Sequence, residues 1–247
     1  TRKMPSTVLI RALVADDDED IIKIFGDTEY LRKTLEKDPT DDRESAILEI
    51  YRKLKPGEMV SVESALPHLE QLLFDDRRYD LAKVGRYKFN MKLALRDRIT
   101  NKICAQDVID EINGELLVKK GELIDLDKAI EIENAGINSV DVYVDNREEK
   151  SVRVVGNHFV DLNSFEEIKD LDLSEIKLSE KVYYPVMMEI IDEFENDEEG
   201  KFDSDIKKIR YISSKVDQLS PMHIVVSDII ASYSYQLNLL EGVGEID

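Results

Sequence analysis

The sequence predicts an α+β fold, in which a mainly helical domain is interrupted by an inserted, strand-rich module of mixed α/β character. Two observations predict this fold. Apolar residues recur at helical spacing over the first hundred residues and again near the C-terminus. Between them, short alternating segments separated by glycine and polar turns are typical of strands. We therefore expect a discontinuous helical domain, residues 1–96 with 226–247, and a module at 97–225.

Capping residues delimit the first predicted helices. Pro5 precedes "STVLIRAL", and a proline at a helix start costs little because its missing N–H would be unpaired there anyway. The run Asp16–Asp20 supplies a cap and favourable first-turn charge for "IIKIF", which Gly26 ends. Asp41 and Glu44 have the spacing of a capping box before "SAILEIYRKL".

The next helix is predicted between Pro56-Gly57, which ends the preceding one, and the turn near Asp75. Ser61 is its expected cap. A stripe of apolar residues follows at helical spacing: Val62, Ala65, Leu66, Leu69, Leu72 and Leu73.

The sequence pattern changes near Asn101 from helical spacing to the short alternating segments typical of strands. "GELLVKKGELI" predicts a hairpin that turns at Gly121, and "DLDKAIEIENAG" predicts a helix ended by Gly136. "SVDVYV" and "SVRVVGNHFV" alternate as strands do. Residues 163–217 return to helical spacing around the exposed acidic loop 196–205, and Ser227 is the expected cap of the last helix.

The charge is unevenly distributed. The formal net charge is -20, yet residues 1–100 carry 19 cationic and 20 anionic side chains, whereas residues 101–247 carry 15 and 34. Acidic surface repels nucleic acid, so only the near-neutral first part is expected to present a basic face. The single cysteine excludes an intrachain disulfide and, with no signal peptide or apolar span in the sequence, favours a cytoplasmic location.

No set of residues has the spacing of a catalytic or metal site. His68, His158 and His223 are far apart, Cys104 has no histidine nearby in the sequence, and there is no phosphate-binding glycine loop. We interpret these four side chains as structural or surface residues.

One alternative starts from the aspartates after "STVLIRALVA". A hydrophobic strand ending in Asp16, Asp17 and Asp18 would resemble a stand-alone response-regulator receiver, in which such aspartates bind Mg²⁺ and accept phosphate. That family needs alternating strands and helices, and residues 28–75 predict none. Helix capping is the better interpretation.

A basic stretch stands out in this acidic chain. "RYDLAKVGRYKFNMKL" carries five cations with interleaved Tyr79, Tyr87 and Phe89 against the one acid, Asp80. Such a pattern suits phosphate contacts. The alternative is a helix that places Leu81, Val84, Tyr87 and Met91 in the core and its cations in solvent.

The order of motifs is more specific than any one of them. "TRKMPSTVLIRAL", "DTEYLRKTLEKDPTDDRESAILEIYRKLKPGE", "RRYDLAKVGRYKFNMKL" and "SYQLNLLEGVGEID" follow one another. Together they resemble the lobe (domain 2) region of the bacterial RNA polymerase beta subunit. The resemblance implies an excised piece of a longer chain, with residues 97–225 as a lineage-specific insertion.

The resemblance also implies a function in transcription without catalysis by this piece. The lobe would form one wall of the DNA cleft in a DNA-directed RNA polymerase, a nucleotidyltransferase. No cofactor is expected here, because in the family the catalytic Mg²⁺ is held by another subunit. The implied partners are DNA and the beta-prime, alpha, omega and sigma subunits, in the cytoplasm and associated with the nucleoid.

On this basis we expect a set of cations to contact the DNA backbone without reading bases. They are Arg2, Lys3, Lys55, Arg77, Arg78, Arg86 and Lys88. Two alternatives stay open. The cations could pair with Asp75, Asp76 or Asp80 and simply stabilise the domain. The insertion could serve chiefly as a docking surface for a transcription regulator.

Overall fold

A computed structural model describes residues 3–59 and 61–245 of the chain. Within these ranges the fold is α+β, as predicted, with helices in the majority and small antiparallel sheets. The helices are α1 (Ser6–Val14), α2 (Asp18–Phe25), α3 (Glu29–Leu35), α4 (Arg43–Leu54), α5 (Val62–Phe74), α6 (Ala82–Leu93), α7 (Leu95–Ile99), α8 (Leu126–Asn134), α9 (Tyr184–Glu195), α10 (Asp205–Ser214), α11 (Val216–Leu219) and α12 (Val226–Leu240).

The strands pair only two at a time. They are β1 (Lys102–Ile103), β2 (Val108–Ile109), β3 (Leu116–Val118), β4 (Leu123–Ile124), β5 (Ser139–Tyr143), β6 (Ser151–Val155), β7 (Phe159–Asp161) and β8 (Lys181–Tyr183). All four pairs are antiparallel: β1 with β4, β2 with β3, β5 with β6, and β7 with β8. In the longest pair Val140 lies opposite Val154, and Val142 lies opposite Val152.

The predicted hairpin around Gly121 is wrong. The two segments that flank this turn, β3 and β4, do not pair with each other but with the earlier strands β2 and β1. The Gly121 N–H donates to the Cys104 carbonyl at 2.8 Å, which fastens the turn to the end of the first strand. Each segment thus satisfies its backbone groups with a partner from earlier in the chain.

The acidic run at 16–20 caps a helix, as the capping interpretation predicts. The Asp17 side chain accepts the Asp20 N–H at 2.9 Å, and Gly26 ends α2 in a left-handed conformation at φ 81°. The segment before the run is helix α1, whereas a receiver domain needs a strand there. The receiver alternative is therefore contradicted at its first element.

The caps of two other helices are shifted from their predicted places, by one residue in α4 and by two in α12. The capping box of α4 joins Asp42 and Ser45, not Asp41 and Glu44: the Asp42 carboxylate accepts the Ser45 N–H at 2.7 Å. Helix α12 begins after Val225, two residues before the predicted cap Ser227, and the Asp228 carboxylate in its first turn accepts the Val225 N–H at 3.0 Å.

Two apolar clusters hold the helical part together. The first packs α1 against α4 and α5 through Val8, Ala12, Ile47 and Leu69. The second, which we call the shared core, contains residues of α1, α2, α3 and α12 together with Val155 of strand β6. Through Val155 the strand module packs directly against the helical part.

Two further clusters lie in the module. The strand core joins Leu95 and Ile99 of α7 to Cys104, which follows β1, and to β2–β6, α8 and Val243. The C-terminal core combines β7 and β8 with α9, α10 and α11. Helix α7 and Val243 lie in or next to the predicted helical domain yet pack in the strand core. The boundary predicted at 96/97 stays a prediction, and so does the status of 97–225 as a lineage-specific insertion.

Candidate nucleic-acid interface

The basic stretch begins in a turn between α5 and α6. The Asp75 carboxylate accepts the Arg77 N–H at 3.0 Å, and the Asp80 carboxylate accepts the Ala82 N–H at 2.7 Å. The Leu81 N–H donates to the Met222 carbonyl at 2.7 Å, which fixes the turn to a segment far along the chain. The aspartates of this turn thus engage its own backbone, and the side chains of Arg77 and Arg78 extend into solvent.

The apolar side chains of helix α6 face opposite to the direction that the alternative interpretation predicts. Val84, Tyr87 and Met91, which the alternative interpretation places in the core, are 66%, 61% and 52% exposed. The buried face instead contains Arg86 and Asn90, which are 2% and 7% exposed, together with Leu93. An exposed row of large apolar side chains between cations is typical of a surface that contacts another molecule.

The expectation that Arg86 faces a cleft is corrected by its burial. Its guanidinium forms two hydrogen bonds of 2.9 Å to the Asp228 carboxylate and one of 2.8 Å to the Pro221 carbonyl, and it also donates to the His223 carbonyl. It lies 4.8 Å from the centre of the Phe159 ring. Arg86 therefore has no free surface for a phosphate, and it joins α6 to α12.

A buried polar cluster extends from this ion pair. Asn157 donates to Asp228 at 3.0 Å and to Asn90 at 3.1 Å. Asp228 accepts from Arg86, Asn157 and the Val225 backbone, so its carboxylate oxygens are well satisfied. The cluster holds the inner face of α6 and thereby fixes which of its side chains face outward.

Three of the predicted DNA-contacting cations have exposed side chains. Arg77, Arg78 and Lys88 are exposed, and within the described residues none of them forms an ion pair. In particular, Asp75, Asp76 and Asp80 do not pair with them, so the structure gives no support to the view that these cations merely stabilise the domain. Lys83, another cation of the basic stretch, is also exposed on α6.

The remaining predicted cations are elsewhere or differently engaged. Lys3 is exposed ahead of α1, and Arg2 lies outside the described residues. Lys55 lies 3.9 Å from the Glu58 carboxylate and 5.5 Å from the centre of the Tyr51 ring, so part of its charge is locally compensated. That these cations contact DNA stays a prediction.

The described residues contain no group of three or more histidine, cysteine or acidic side chains placed to hold a metal ion. Cys104 is fully buried, and this burial raises the pKa of its thiol. His158 lies 2.9 Å from the Gly136 carbonyl, and burial lowers the pKa of its imidazole. Both side chains have the surroundings of core residues.

None of the helices in the described ranges combines the length and the apolar character needed to cross a membrane.

The fold and this surface define an α+β domain with a basic, partly apolar face. Comparison with known proteins shows to which family this domain belongs. The model of the RNA polymerase Rpb2, domain 2 family matches residues 1–127, and the chain belongs to this family. The resemblance drawn from the motifs is thereby confirmed.

The full chain also aligns with DNA-directed RNA polymerase beta subunits. It is 48% identical over 247 residues to that of Clostridium botulinum (strain Kyoto / Type A2) and 49% identical to that of Clostridioides difficile (strain 630). The identity to the Clostridium acetobutylicum subunit is 45%. In each case all of this chain matches 19% of the relative, so the chain spans about a fifth of their length.

Proposed function

We propose that the chain is the lobe of the beta subunit of a bacterial DNA-directed RNA polymerase and forms part of the wall of its DNA cleft. The beta-subunit relatives and the domain 2 family support this role. The whole enzyme would catalyse nucleotidyl transfer in transcription. The lobe would contribute position and charge, while the catalytic Mg²⁺ would be bound by another subunit.

The observation that carries the proposal is the set of unpaired cations on the turn at 75–81 and on α6. Arg77, Arg78, Lys83 and Lys88 are exposed and have no carboxylate partner among the described residues, in a chain of net charge -20. Cations that have no internal partner remain available to replace counterions on a phosphate backbone. Such contacts position DNA and carry no direct sequence information.

The neighbouring apolar row supports the same face. Tyr79 and Tyr87 are exposed beside these cations, and aromatic rings next to cations suit contact with nucleic acid, whose bases stack on them. The strongly acidic remainder of the chain, residues 101–247, would be repelled from DNA. The two parts together would orient the lobe with α6 toward the nucleic acid.

The proposed partners follow from the family. They are DNA and the beta-prime, alpha, omega and sigma subunits, and the enzyme would be associated with the nucleoid in the cytoplasm. A transcription regulator is a further proposed partner of residues 97–225. Exposed apolar side chains on β2, on β3 and in the turn between them, at Ile109, Leu116 and Ile112, support that idea.

The test is a double charge reversal, Arg77→Glu with Arg78→Glu, in the complete polymerase. Because each phosphate contact contributes a slope of about -0.9 to log K against log salt, loss of two contacts should flatten the dependence by about 2. Open-complex lifetime should also shorten. Filter binding over a salt series measures both quantities.

The matched control is Lys119→Glu with Lys120→Glu, two adjacent exposed lysines in the turn before β4. This pair changes the net charge equally but lies on the strand module. An unchanged slope in the arginine variant, or an equal change in both variants, would reject the proposed interface.

A further inference from the structure

A cavity of about 620 Å³ lies between strand β5, the hairpin of β2 and β3, and the end of helix α8. All of its lining residues lie between positions 106 and 184, within the described part of the chain. Its volume is in the range of sites that bind a ligand or a side chain. None of the cations assigned to the proposed DNA face lines it.

The cavity has an anionic lining. The carboxylates of Asp107 and Glu111 belong to it, and neither forms an ion pair with a described residue. Arg153 is the only lysine or arginine among the described residues of the lining. Its guanidinium already forms hydrogen bonds of 2.8 and 3.0 Å to the Asp141 carboxylate. The lining therefore has more negative than positive charge.

The end of helix α8 and two rings form another wall of the cavity. A helix C-terminus carries partial negative charge, and α8 ends just before Gly136. The Tyr184 ring lies so close to Gly136 that a Cβ there would be 2.1 Å from a ring carbon. His158 stacks on Tyr184, and burial lowers the pKa of its imidazole, so it adds no positive charge at neutral pH.

Strand β5 presents a backbone edge to the cavity through residues 139–141. Its other edge is paired with β6 along the whole strand. On the cavity edge, the described part of the chain provides only an isolated bridge at Val142 and a hydrogen bond of 2.7 Å from the Ala105 N–H to the Asp141 carbonyl. Because backbone groups alternate between the two edges, those of Ser139 face the cavity like the Asp141 carbonyl. An open edge of this kind can pair with an extended segment of another chain.

The rim of the cavity is apolar. Ile109 and Leu116 lie opposite each other in the pair of β2 and β3, so their side chains share one face, and they are 49% and 41% exposed. Ile112, in the turn between these strands, is 71% exposed. Ile109 and Ile112 also line the cavity. Exposed apolar side chains next to an anionic cavity are typical of a surface that contacts another molecule.

Charge distinguishes between the possible occupants. Residues 101–247 carry 15 cationic and 34 anionic side chains, so a second copy of this chain or a nucleic acid would be repelled. No three histidine, cysteine or acidic side chains of the described residues are placed to hold a metal ion. A protein segment that alternates basic and apolar residues matches the charge, the rim and the open edge together.

We propose that this cavity is the docking site for an extended segment of a regulatory protein. The segment places an arginine side chain beside Asp107 and Glu111, packs apolar side chains on Ile109 and Ile112, and pairs its backbone with the edge of β5. A guanidinium suits the site because its five N–H donors can reach carboxylates and backbone carbonyls at once. The inference rests on the proposed docking role of residues 97–225 and adds the chemistry of the partner.

The test measures binding of a hexapeptide, Leu-Arg-Ile-Arg-Leu-Arg with fluorescein at its N-terminus and an amide at its C-terminus, to the complete polymerase by fluorescence anisotropy. A second peptide has citrulline in place of each arginine, which removes the charge and keeps the shape. The informative variant is Glu111→Lys, because Glu111 is exposed and forms no ion pair with a described residue, so the variant should fold. Glu149→Lys, the same charge change at an exposed residue outside the cavity, is the matched control.

We expect Glu111→Lys to weaken binding of the arginine peptide about tenfold or more, because it turns an attraction at close range into a repulsion. Glu149→Lys should have little effect. The unchanged polymerase should bind the citrulline peptide about tenfold more weakly than the arginine peptide. Ile112→Ser should weaken both peptides alike, since it removes apolar contact and leaves the charge as it is.

Three outcomes overturn the proposal: no binding of the arginine peptide, equal affinity for the two peptides, or equal losses in the two lysine variants. Self-association of the 247-residue chain in sedimentation velocity that Ile112→Ser abolishes would assign the face to a second copy and would also overturn it. The salt dependence of the Arg77 and Arg78 variant is measured on another surface. Peptide docking can therefore fail while the DNA face is supported, and the reverse.

Discussion

His158 shows how one residue's surroundings set a pH dependence. Its ring stacks on Tyr184 with centroids 5.0 Å apart, its Nε2 lies 2.9 Å from the Gly136 carbonyl, and burial lowers its pKa. In the unfolded chain a histidine takes up a proton near its ordinary pKa of about 6.5. The folded chain resists this protonation, so the stability that His158 confers is complete above that value and is lost as the pH falls through the folded pKa.

We expect His158→Asn to reduce the loss of unfolding free energy between pH 7.5 and pH 5.5, measured by urea denaturation at a series of pH values. Asparagine tolerates the left-handed backbone found here, at φ 63°. The control is His68→Asn, which removes an imidazole that lies edge-on to Tyr51. A variant with the same pH dependence as the wild type would contradict this account.

The candidate interface could be predicted from sequence only in part. Composition alone identifies a basic stretch, and Arg77, Arg78 and Lys88 are exposed as expected. The burial of Arg86 could not be predicted, because its partner Asp228 lies 142 residues away and nothing local distinguishes it from its neighbours. Arg86, Asn90 and Leu93 have the spacing of one helix face, which is the only indication in the sequence that Arg86 is buried. This indication can be interpreted only once the apolar side chains of α6 are known to face outward.

At the scale of elements, the starts of α4 and α5 were predictable to within a residue because capping chemistry is local, whereas α12 begins two residues before its predicted start. The pairing of the strands around Gly121 could not be predicted in this way, because it depends on which segments lie side by side in the folded chain. Residues 116–118 and 123–124 have strand character, but their partners are short segments, 108–109 and 102–103, that carry little pattern of their own.

The capping box of α4 yields a prediction that separates the two candidate aspartates. Asp42→Ala removes the acceptor of the Ser45 N–H, and the melting temperature should fall by about 2–4 °C, the shift that typical cap loss causes in a domain of this size. Asp41→Ala, which leaves that bond intact, is the control. Differential scanning calorimetry measures both melting temperatures. An equal fall in the two variants would show that Asp42 is not the capping residue.

At the scale of the whole molecule, the ion pair between Arg86 and Asp228 joins distant parts of the chain. Both side chains are almost fully buried, and removal of either leaves the other charge without a partner. Arg86→Met and Asp228→Leu should each lower the free energy of unfolding by about 3–5 kcal/mol. Urea denaturation measures the loss.

The double variant distinguishes a lost pair from lost packing. If the uncompensated charge causes the damage, Arg86→Met combined with Asp228→Leu should cost less than the sum of the single changes. A third variant, Lys120→Met, removes an exposed cation and should change stability little. Strict additivity of the two single changes would show that the pair itself contributes no coupling.

The shared core has a consequence for the order in which the chain acquires its structure. It combines α1, α2 and α3 with Val155 and with Tyr233 and Leu237 of α12. A ribosome adding about 5–20 residues per second needs roughly 10–40 s to pass from the end of α1 to the start of α12. During this interval the first helices have an incomplete apolar face, so the nascent chain depends on α12 to close the core and is exposed to association with other chains until α12 emerges.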